Sequence, residues 1–362
     1  MKGKLVWMTE PLKFEVREYD LPETIEPDAV LIEVLQTNVC GSDLHIAKGN
    51  LPHLRCGGIG HEVVGRIVKM GERRTTDNAG QPVNVGDRVV PTYIVSCNNC
   101  SYCLQGLYSS CLHSNKYMGK QNIAPYFHGA TYATHYYIHH DQYFYKVPEG
   151  ITNQEASSAN CALTQVYSAI DKANVKPGDS LVIQGAGGLG INACAVAKER
   201  GAKVIIIDTV DSRLELAKRF GADHVINMEG LDLRGLTKRV RELTNGMGAD
   251  FGMEVAGVPA AFSQGPHLLR NGGKYIVMGN ISIGQKVEVD PAILILKAIK
   301  ILPFAGYEPM YLYKALQFLE RNVNKYPFNE LTDAAFTLEE VAAAIDKSIK
   351  REVTRATIVV NQ

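Results

Sequence analysis

Four cysteines lie within fifteen residues of this 362-residue chain, at Cys97, Cys100, Cys103 and Cys111, in the spacing C-x2-C-x2-C-x7-C. Four thiolates at such short spacing suit a closed tetrahedral zinc site. Four ordinary core cysteines or two disulfides are the alternatives, and neither is typical of cysteines spaced by two residues. A zinc ion held by four thiolates has no open position, so any metal chemistry in this chain would need a second site.

Cys40, His61 and Cys161 have the right side chains for that second site. Two thiolates and an imidazole would leave the fourth zinc position free for water or substrate. Spacing alone does not bring these three residues together, and a single Cys or His is more often structural than metal-binding. Cys56, which no motif surrounds, and Cys194, on a predicted helix, are examples of the structural case.

A glycine-rich motif supplies the third chemical feature, G-x-G-x-x-G, in the run Gly185-Ala186-Gly187-Gly188-Leu189-Gly190. An apolar strand precedes it and a helical pattern follows it, which is the context of a dinucleotide-binding turn. The first glycine permits the tight turn, and the second lets the backbone approach a pyrophosphate at the helix N-terminus. The third lets helix and strand pack closely.

An acidic residue follows at the expected distance. Asp208 ends the next predicted strand, 18 residues after Gly190. A carboxylate there accepts hydrogen bonds from an adenosine ribose and would repel a 2′-phosphate, so NAD is favoured over NADP. Arg213 weakens this preference, because a nearby cation can tolerate a phosphate.

The predicted elements that position these residues change in character near residue 150. Residues 1 to about 150 are predicted to be β-rich, with alternating runs such as 29–34 and 63–68 between Gly, Pro and Asp turns. Beyond them strands alternate with helices, which predicts an α/β class with βαβ units and a parallel sheet. The predicted strands are 181–183, 203–207, 224–226 and 274–278, and the predicted helices are 155–173, 213–220 and 238–244.

The C-terminal tail from about residue 305 carries two predicted helices, 311–320 and 338–349, and a last strand, 356–360. Its sequence leaves open which domain this strand completes.

Composition excludes several classes of protein. The 38 Lys and Arg balance the 38 Asp and Glu, so nothing points to a nucleic-acid or acidic-membrane partner. The chain shows no signal sequence and no apolar run near the roughly 20 residues of a membrane span. We therefore expect a cytoplasmic protein, whose eight cysteines are reduced and free to bind metal. The length favours two domains.

Together these motifs resemble those of the zinc-containing alcohol dehydrogenases of the medium-chain dehydrogenase/reductase superfamily. The resemblance runs nearly end to end and rests on Cys40-Gly41-Ser42-Asp43-x-His45, Gly60-His61-Glu62-x-x-Gly65, Gly86-Asp87-Arg88-Val89, the four cysteines, Cys161, and the glycine motif with Asp208. The Cys-Gly-Ser-Asp form is closer to the polyol and threonine dehydrogenase branch. Cys161 departs from that branch, which tends to have Glu there, and is similar to the liver-type branch.

The resemblance implies an architecture. A GroES-like catalytic domain would span residues 1–157 and include the zinc lobe at about 95–113. A Rossmann domain with a doubly wound parallel sheet would span 158–300, and residues 301–362 would return to the catalytic domain. The active site would lie in the cleft between the domains, and the protein would be a homodimer or homotetramer.

The resemblance also implies two zinc ions per chain. Cys40, His61 and Cys161 would converge on the catalytic ion, with Glu62 close behind it or acting as a transient ligand. Asp43 would accept a hydrogen bond from the free ring nitrogen of His61 and fix its tautomer. Cys97, Cys100, Cys103 and Cys111 would hold the structural ion.

The implied reaction is transfer of a hydride from an alcohol to NAD, giving a ketone or aldehyde. Ser42 would take the alcohol's proton, the cofactor ribose hydroxyls would pass it on, and His45 would release it to water. Tyr93 resembles a substrate-pocket position. Tyr93, Asn160 and the stretch Tyr126-Phe127-His128 hint at a part-polar pocket for a secondary or cyclic alcohol.

The remaining implied positions concern the cofactor. Gly279 and Val255, with Gly257 nearby, would lie by the nicotinamide, and Arg355 would reach the pyrophosphate. Gly188 and Leu189 complete the glycine motif.

Two other functions on the same fold compete with this interpretation. A zinc-free quinone or enoyl reductase of the same superfamily would have lost the cysteines, whereas this chain keeps all seven candidate ligands. A non-catalytic NAD-binding protein is compatible with the fold, but Ser42 and His45 argue against it. A zinc-binding nucleic-acid module is disfavoured by the neutral charge.

Overall fold

The computed structural model describes residues 2–51, 54–114, 130–281 and 284–361. Tyr126-Phe127-His128 therefore lie outside the described residues. The chain forms two compact units, the first made of Met1–Thr164 with Gly306–Gln362 and the second of Gln165–Ala305. Across the described ranges, every helix is too short or too polar to cross a membrane.

The strands follow one another along the described chain as β1 (Lys2–Glu10), β2 (Lys13–Asp20), β3 (Val30–Asn38), β4 (Gly57–Gly58), β5 (Val64–Met70), β6 (Arg88–Pro91), β7 (His135–Ile138), β8 (Phe144–Lys146), β9 (Ser180–Gln184), β10 (Lys203–Asp208), β11 (His224–Asn227), β12 (Ala249–Glu254), β13 (Leu269–Val277), β14 (Lys300–Pro303), β15 (Ala334–Phe336) and β16 (Ala356–Val359).

The α-helices are α1 (Gly41–Ala47), α2 (Ser101–Leu104), α3 (Asn153–Ala156), α4 (Thr164–Ala173), α5 (Gly188–Glu199), α6 (Asp211–Arg219), α7 (Leu233–Leu243), α8 (Pro259–Leu268), α9 (Pro291–Leu296), α10 (Met310–Asn322) and α11 (Val341–Lys350). A π-helix covers Ala159–Leu163, between α3 and α4. Short 3-10 turns occur at Tyr108–Ser110, Phe328–Leu331 and Leu338–Glu340.

The first unit is β-rich, as predicted. Its larger sheet has the order β15-β16-β3-β5-β6-β8, with β7 also pairing with β3, and a smaller sheet has the order β2-β1-β4. The last strand, β16, runs antiparallel to β3 with Thr357 opposite Asn38. The strand whose domain the sequence left open therefore belongs to the first unit, and its register brings it beside the turn that leads to Cys40.

The second unit is a parallel six-stranded sheet in the order β11-β10-β9-β12-β13-β14. Strands β9 and β10 are buried almost throughout, because helices cover both faces of a doubly wound sheet. Chain order reverses between β9 and β12, and ligands of such sheets bind at the carboxyl ends of the strands beside this reversal. The predicted α/β class and doubly wound sheet are confirmed.

The single helix predicted for residues 155–173 is wrong, because a π-helix interrupts it. The N–H group of Thr164 donates to the Ala159 carbonyl five residues earlier, and the Thr164 hydroxyl donates to the same oxygen. The Asn160 amide donates outside the helix, to the carbonyls of His61 and Pro91 at 2.9 and 3.0 Å. These bonds hold the wider turn, and such π-bulges are frequent at functional sites.

Candidate active site and nucleotide-binding loop

The turn from β3 into α1 positions the first candidate zinc ligand, Cys40. The Cys40 N–H group donates to Asp43 Oδ2 at 2.9 Å, which caps the start of the helix. Tyr132 donates its hydroxyl to the same oxygen at 2.9 Å. Asp43 is fully buried, and its other oxygen, Oδ1, lies 3.1 Å from His61 Nδ1. One carboxylate thus fixes both the helix that begins after Cys40 and the ring of His61.

Four side chains from three separate segments bring metal-binding atoms within 4.8 Å of one another: Cys40, His61, Glu62 and Cys161. We call this set the open cluster. Cys40 precedes α1, His61 and Glu62 lie in the loop before β5, and Cys161 lies in the π-helix. The Cys40 and Cys161 sulfurs are 3.7 Å apart, and His61 Nε2 is 3.3 Å from Cys161 Sγ.

These distances fit zinc. A tetrahedron with Zn–S bonds of about 2.3 Å has sulfur–sulfur edges of roughly 3.8 Å. Hydrogen bonds from the Cys161 thiol and the His61 ring hold the pKa of Cys40 well below its usual range, although burial opposes this. The same contact with Cys40, together with burial, raises the pKa of Cys161, so without a metal only one of the two thiols favours the thiolate form. Thiolates and a neutral imidazole are the ligand forms that zinc requires.

The Glu62 carboxylate already has hydrogen-bond partners on both of its oxygens. Arg355 donates to its Oε1 and Asn38 donates to its Oε2 at 3.0 Å. Glu62 is fully buried and Arg355 is 7% exposed, so this is an ion pair inside the protein. Burial raises the pKa of Glu62, and the Arg355 guanidinium opposes the rise.

Sequence reasoning missed both partners of Glu62. It assigned Arg355 to the pyrophosphate, and it did not consider Asn38. Arg355 directly precedes β16, and Asn38 ends β3, so pairing of these two strands brings both side chains to Glu62. One signal was available in the sequence: a buried carboxylate beside a cluster of thiolates needs a nearby cation to balance its charge. Two buried atoms here, Asn38 Oδ1 and Arg355 Nε, make no hydrogen bond.

The two candidate relay residues lie on α1. Ser42 Oγ is 3.5 Å from His61 Nε2, at the edge of the open cluster. His45, one turn further on, is half-buried, and its Nδ1 is 3.4 Å from the Asn50 amide. Burial lowers the pKa of His45, so its ring is neutral near pH 7.

Tyrosine rings line one side of the cluster. The ring of Tyr93 meets His61 edge to face at 5.4 Å between centroids, and Tyr307 meets Tyr93 in the same way at 5.3 Å. The Tyr307 hydroxyl donates to the Asn160 carbonyl. Burial, together with the neighbouring thiols Cys161 and Cys40, raises the pKa of Tyr93. Tyr307 was not identified from the sequence, because no motif surrounds it.

The four closely spaced cysteines form a second metal-binding group, which we call the lobe cluster. Four of the sulfur–sulfur distances are 3.5–4.0 Å, far beyond the roughly 2.05 Å of a disulfide and close to the edges of a zinc–thiolate tetrahedron. Backbone N–H groups of Cys97 and His113 donate to Cys111 Sγ, both at 3.3 Å. Hydrogen bonds from the Cys103 and Leu112 backbone lower the pKa of Cys100 to about 6.

The other two cysteines contribute to neither cluster. Cys194 is fully buried on α5, and burial raises the pKa of its thiol. Cys56 is exposed, and its thiol is free.

The glycine motif lies between β9 and α5 and has the shape of a phosphate-binding turn. Gly185 has a φ of +106°, which disfavours any side chain. A Cβ on Gly190 would lie 1.8 Å from the Gly185 carbonyl oxygen, so only glycine allows this packing. A Cβ on Gly187 would meet nothing within 4 Å, which leaves its backbone open to a ligand. Gly188 and Leu189 begin α5, whose N-terminus favours negative charge.

Asp208, the last residue of β10, lies beside this turn. Its Oδ2 accepts a bond from the Ala186 N–H group at 2.6 Å, and its Oδ1 accepts from Thr209 and Val210 at 2.8 and 3.0 Å. A carboxylate has about four acceptor positions, so one remains on Oδ2 for a ribose hydroxyl. Arg213 is half-buried in the first turn of α6.

The carboxyl ends of β12 and β13 carry the other predicted cofactor residues. The Val255 N–H group donates to the Gln184 carbonyl at 3.0 Å, which joins this turn to the end of β9. Gly279 is half-buried, and its N–H group donates to the Glu254 side chain at 3.1 Å. The second unit thus gathers the glycine motif, Asp208, Arg213, Val255 and Gly279, whereas Arg355 belongs to the first unit.

Comparison with known proteins agrees with this fold. The family described as "Alcohol dehydrogenase GroES-like domain" matches residues 26–149, and "Zinc-binding dehydrogenase" matches residues 188–321. The 5-exo-hydroxycamphor dehydrogenase of Pseudomonas putida is 31% identical over 88% of this chain and 88% of its own length. The sorbitol dehydrogenase of Halalkalibacterium halodurans is 34% identical over 86% of each.

A solved structure shows the same architecture. The crystal structure of an alcohol dehydrogenase from Thermotoga maritima matches with a TM-score of 0.91 and 25% identity, over 100% of both chains. A GroES-like unit with two zinc-binding clusters and a doubly wound nucleotide-binding unit define a zinc-dependent oxidoreductase that uses NAD. The chain belongs to the zinc-containing alcohol dehydrogenases of the medium-chain dehydrogenase/reductase superfamily. The two competing functions are therefore not supported.

Proposed function

We propose that this enzyme oxidises a secondary or cyclic alcohol with NAD, and that the open cluster carries out the reaction. One observation carries the proposal: Cys40, His61 and Cys161 converge with donor distances that fit zinc. The preference for secondary or cyclic alcohols is supported by two relatives, which are named for hydroxycamphor and sorbitol.

Cys40, His61 and Cys161 would hold the catalytic zinc, and the lobe cluster would hold a structural one. Zinc, when bound, lowers the pKa of a hydroxyl ligand, to about 7 for water, and NAD supplies the hydride acceptor. Asp43 keeps the His61 Nδ1 proton in place, so that Nε2 faces the cluster. Glu62 would lie close behind the metal or act as a transient ligand, and Arg355 and Asn38 bond to its carboxylate.

Ser42 and His45 would move the alcohol's proton to solvent. Ser42 Oγ lies at the edge of the cluster, near His61 Nε2, where it can accept that proton. The cofactor ribose hydroxyls would pass it on. His45 is half-buried and neutral near pH 7, so it can accept a proton from inside and release it to water. Tyr93 would form one wall of the substrate pocket.

The second unit would bind NAD. The backbone at Gly187, Gly188 and Leu189 is proposed to contact the pyrophosphate, between the tight turn at Gly185 and the close packing at Gly190. Asp208 would accept a hydrogen bond from the adenosine ribose, and Arg213 would lie nearby. Val255 and Gly279 would face the nicotinamide.

A screen of alcohols tests the substrate class. Purified zinc-loaded protein would be mixed with NAD and with cyclic secondary alcohols, polyols or primary alcohols, and NADH formation would be followed by absorbance. We expect the highest kcat/KM with a secondary or cyclic alcohol. Failure of every alcohol to reduce NAD would overturn the proposal, and a preference for primary alcohols would overturn the substrate class.

We also propose that the protein is a homo-oligomer joined through the edge of the second sheet. Among the described strands, β14 is paired on one side only, by β13. Ile295 and Leu296, just before it on α9, are 74% and 80% exposed. An open strand edge beside exposed large apolar side chains is typical of an interface.

The proposed domains follow the division 1–157, 158–300 and 301–362. We also propose a cytoplasmic location, because clusters of free thiols suit a reducing compartment.

Replacement of Leu296 by Glu tests this interface. We expect the variant to be smaller than the wild type by light scattering after gel filtration. Met247→Glu, at another exposed apolar position outside α9 and β14, is the matched control and should leave the mass unchanged. A wild-type monomer, or an intact oligomer in Leu296→Glu, would contradict the proposed interface.

A further inference from the structure

A buried carboxylate in the second unit has no part in the chemistry described so far. Glu254 ends β12 and is fully buried. Among the described residues, no lysine, arginine or histidine forms an ion pair with it. Its Oε1 accepts a bond from the Gly257 N–H group at 2.8 Å, and its Oε2 accepts from Gly279 at 3.1 Å. The backbone N–H groups of Ala256 and Asn280 also bond to this carboxylate.

These bonds tie together two turns that follow neighbouring strands. Ala256 and Gly257 follow β12, whereas Gly279 and Asn280 follow β13. A buried charge without a cation is unfavourable unless backbone dipoles replace water around it, as they do here. The carboxylate therefore acts as a bracket that fixes the backbone of both turns.

Packing around the bracket leaves no room for side chains. Gly257 has a φ of +71°, and a Cβ there would lie 3.1 Å from the Gly279 carbonyl oxygen. A Cβ on Gly279 would lie 2.8 Å from Glu254 Oε1. The two glycines thus let both turns close onto the carboxylate.

The bracket lies where the sheet reverses its order. Strand β12 neighbours β9, whose end carries the glycine motif, and a Cβ on Gly185 would lie 2.8 Å from Ala256 Cα. A dinucleotide crosses such a sheet at this reversal. Because Asp208 lies at the end of β10, on the adenosine side of β9, the other half of the cofactor must extend over the ends of β12 and β13.

We propose that Glu254 is a positioning residue for the nicotinamide half of NAD. This inference rests on the proposed NAD-dependent function. Glu254 itself is shielded from the cofactor and acts by holding the backbone at residues 255–257 and 279–280 in one arrangement. It has no proposed role for the adenosine half, whose contacts come from the glycine motif and Asp208.

The variant Glu254→Gln tests this role with almost no change in volume. The amide nitrogen of the introduced glutamine would face a backbone N–H group. Two hydrogen-bond donors would then point at each other, and a bond from a backbone N–H group to a charged carboxylate would be lost. We expect the dissociation constant of NADH, measured by NADH fluorescence, to rise about tenfold or more. Binding of ADP-ribose, which lacks the nicotinamide, should change by less than about twofold, since a distant group adds little.

Asp250→Asn is the matched control. Asp250 lies near the opposite end of the same strand, where it accepts bonds from Ser180 and pairs with Arg270. This variant should lower thermal stability yet keep the ratio of NADH to ADP-ribose affinities unchanged. Gly279→Ala would place a Cβ 2.8 Å from Glu254 Oε1, so it should also weaken NADH binding selectively. This variant replaces Glu254→Gln in the test if Glu254→Gln does not fold.

The outcomes separate this inference from the function on which it rests. If wild-type protein binds neither NADH nor ADP-ribose, the proposed NAD function fails and the inference fails with it. If the wild type binds both, but Glu254→Gln weakens them equally or not at all, the positioning role alone is overturned. Selective loss of NADH in Glu254→Gln, absent in Asp250→Asn, supports it. Gly279→Ala decides in the same way only where Glu254→Gln does not fold.

Discussion

The two metal-binding clusters use similar ligands but are built in opposite ways. The lobe cluster takes four thiols from fifteen consecutive residues, and backbone N–H groups contact its sulfurs. The open cluster takes its ligands from the turn before α1, the loop before β5 and the π-helix, and a buried ion pair lies behind it. Loss of the closed, locally built site should change stability but not the reaction. The site assembled from distant segments can leave one metal position free for substrate, so its loss should also remove activity.

The largest effect should follow from loss of a ligand in the open cluster. Cys40→Ser is expected to lower kcat/KM roughly a thousandfold or more, because several kcal/mol of charge stabilisation depend on the metal. Zinc content, measured by mass spectrometry, should fall from two ions per chain towards one. Cys56→Ser, at the exposed cysteine outside both clusters, should keep full activity and both ions. An active Cys40→Ser enzyme would refute the assignment of the open cluster.

Arg355 tests whether the buried ion pair at the open cluster stabilises the protein more than an exposed ion pair elsewhere in the first unit. Arg355→Met would leave Glu62 buried without its cation, so we expect the free energy of unfolding in urea to fall by about 3–5 kcal/mol. Adding Glu62→Gln should recover part of this loss. Arg73→Met, which breaks the exposed pair with Asp28, should cost less than about 1 kcal/mol. Equal losses in the two Arg variants would argue against a structural ion pair behind the zinc.

His45 tests whether the open cluster exports a proton. Because burial lowers the pKa of His45, its neutral ring can accept a proton at pH 7. In His45→Ala the proton must leave without this base, so turnover should fall about tenfold or more, chiefly on the acid side of neutrality. His140→Ala, at an exposed histidine paired with Glu26, should keep the wild-type pH profile. A pH profile of kcat unchanged in His45→Ala would exclude the relay.

The lobe cluster should show the smallest effect on turnover. Cys103→Ser removes one of four ligands, so we expect one zinc ion to be lost together with thermal stability or assembly, because a structural zinc contributes folding energy. Turnover per folded, assembled molecule should stay within about twofold of the wild type, since this site has no open position. A well-folded, assembled Cys103→Ser enzyme without activity would place chemistry in the lobe after all.

Local features were predictable from the sequence, whereas the surroundings of the open cluster were not. Thiol spacing indicated a closed metal site, and a strand, a glycine turn and a helix in succession indicated the doubly wound sheet. Arg355 and Glu62 are 293 residues apart, and only the pairing of β16 with β3 brings them together. No periodic pattern marks such a contact, so the resemblance alone supplied a role for Arg355.

The π-helix and Glu254 illustrate the same limit at short range. The composition of residues 155–173 predicts one α-helix. The wider π-helical turn within it depends on the hydrogen bonds that Asn160 and Thr164 donate to carbonyl groups. Glu254 is one acidic residue at the end of an apolar strand, which sequence alone assigns to the surface. Its backbone partners follow from loop closure, a property of the folded chain.

The position of β16 also bears on the order in which the protein matures. Chains are made from the N-terminus, and domains generally fold as they emerge. The second unit is one continuous segment, Gln165–Ala305, so it can fold while residues 306–362 are still being made. Glu62, however, gains its partner Arg355, and β3 gains its neighbour β16, only after residues 355–359 have been made. The nucleotide-binding half can therefore fold before the open cluster gains its final support from residues 355–359.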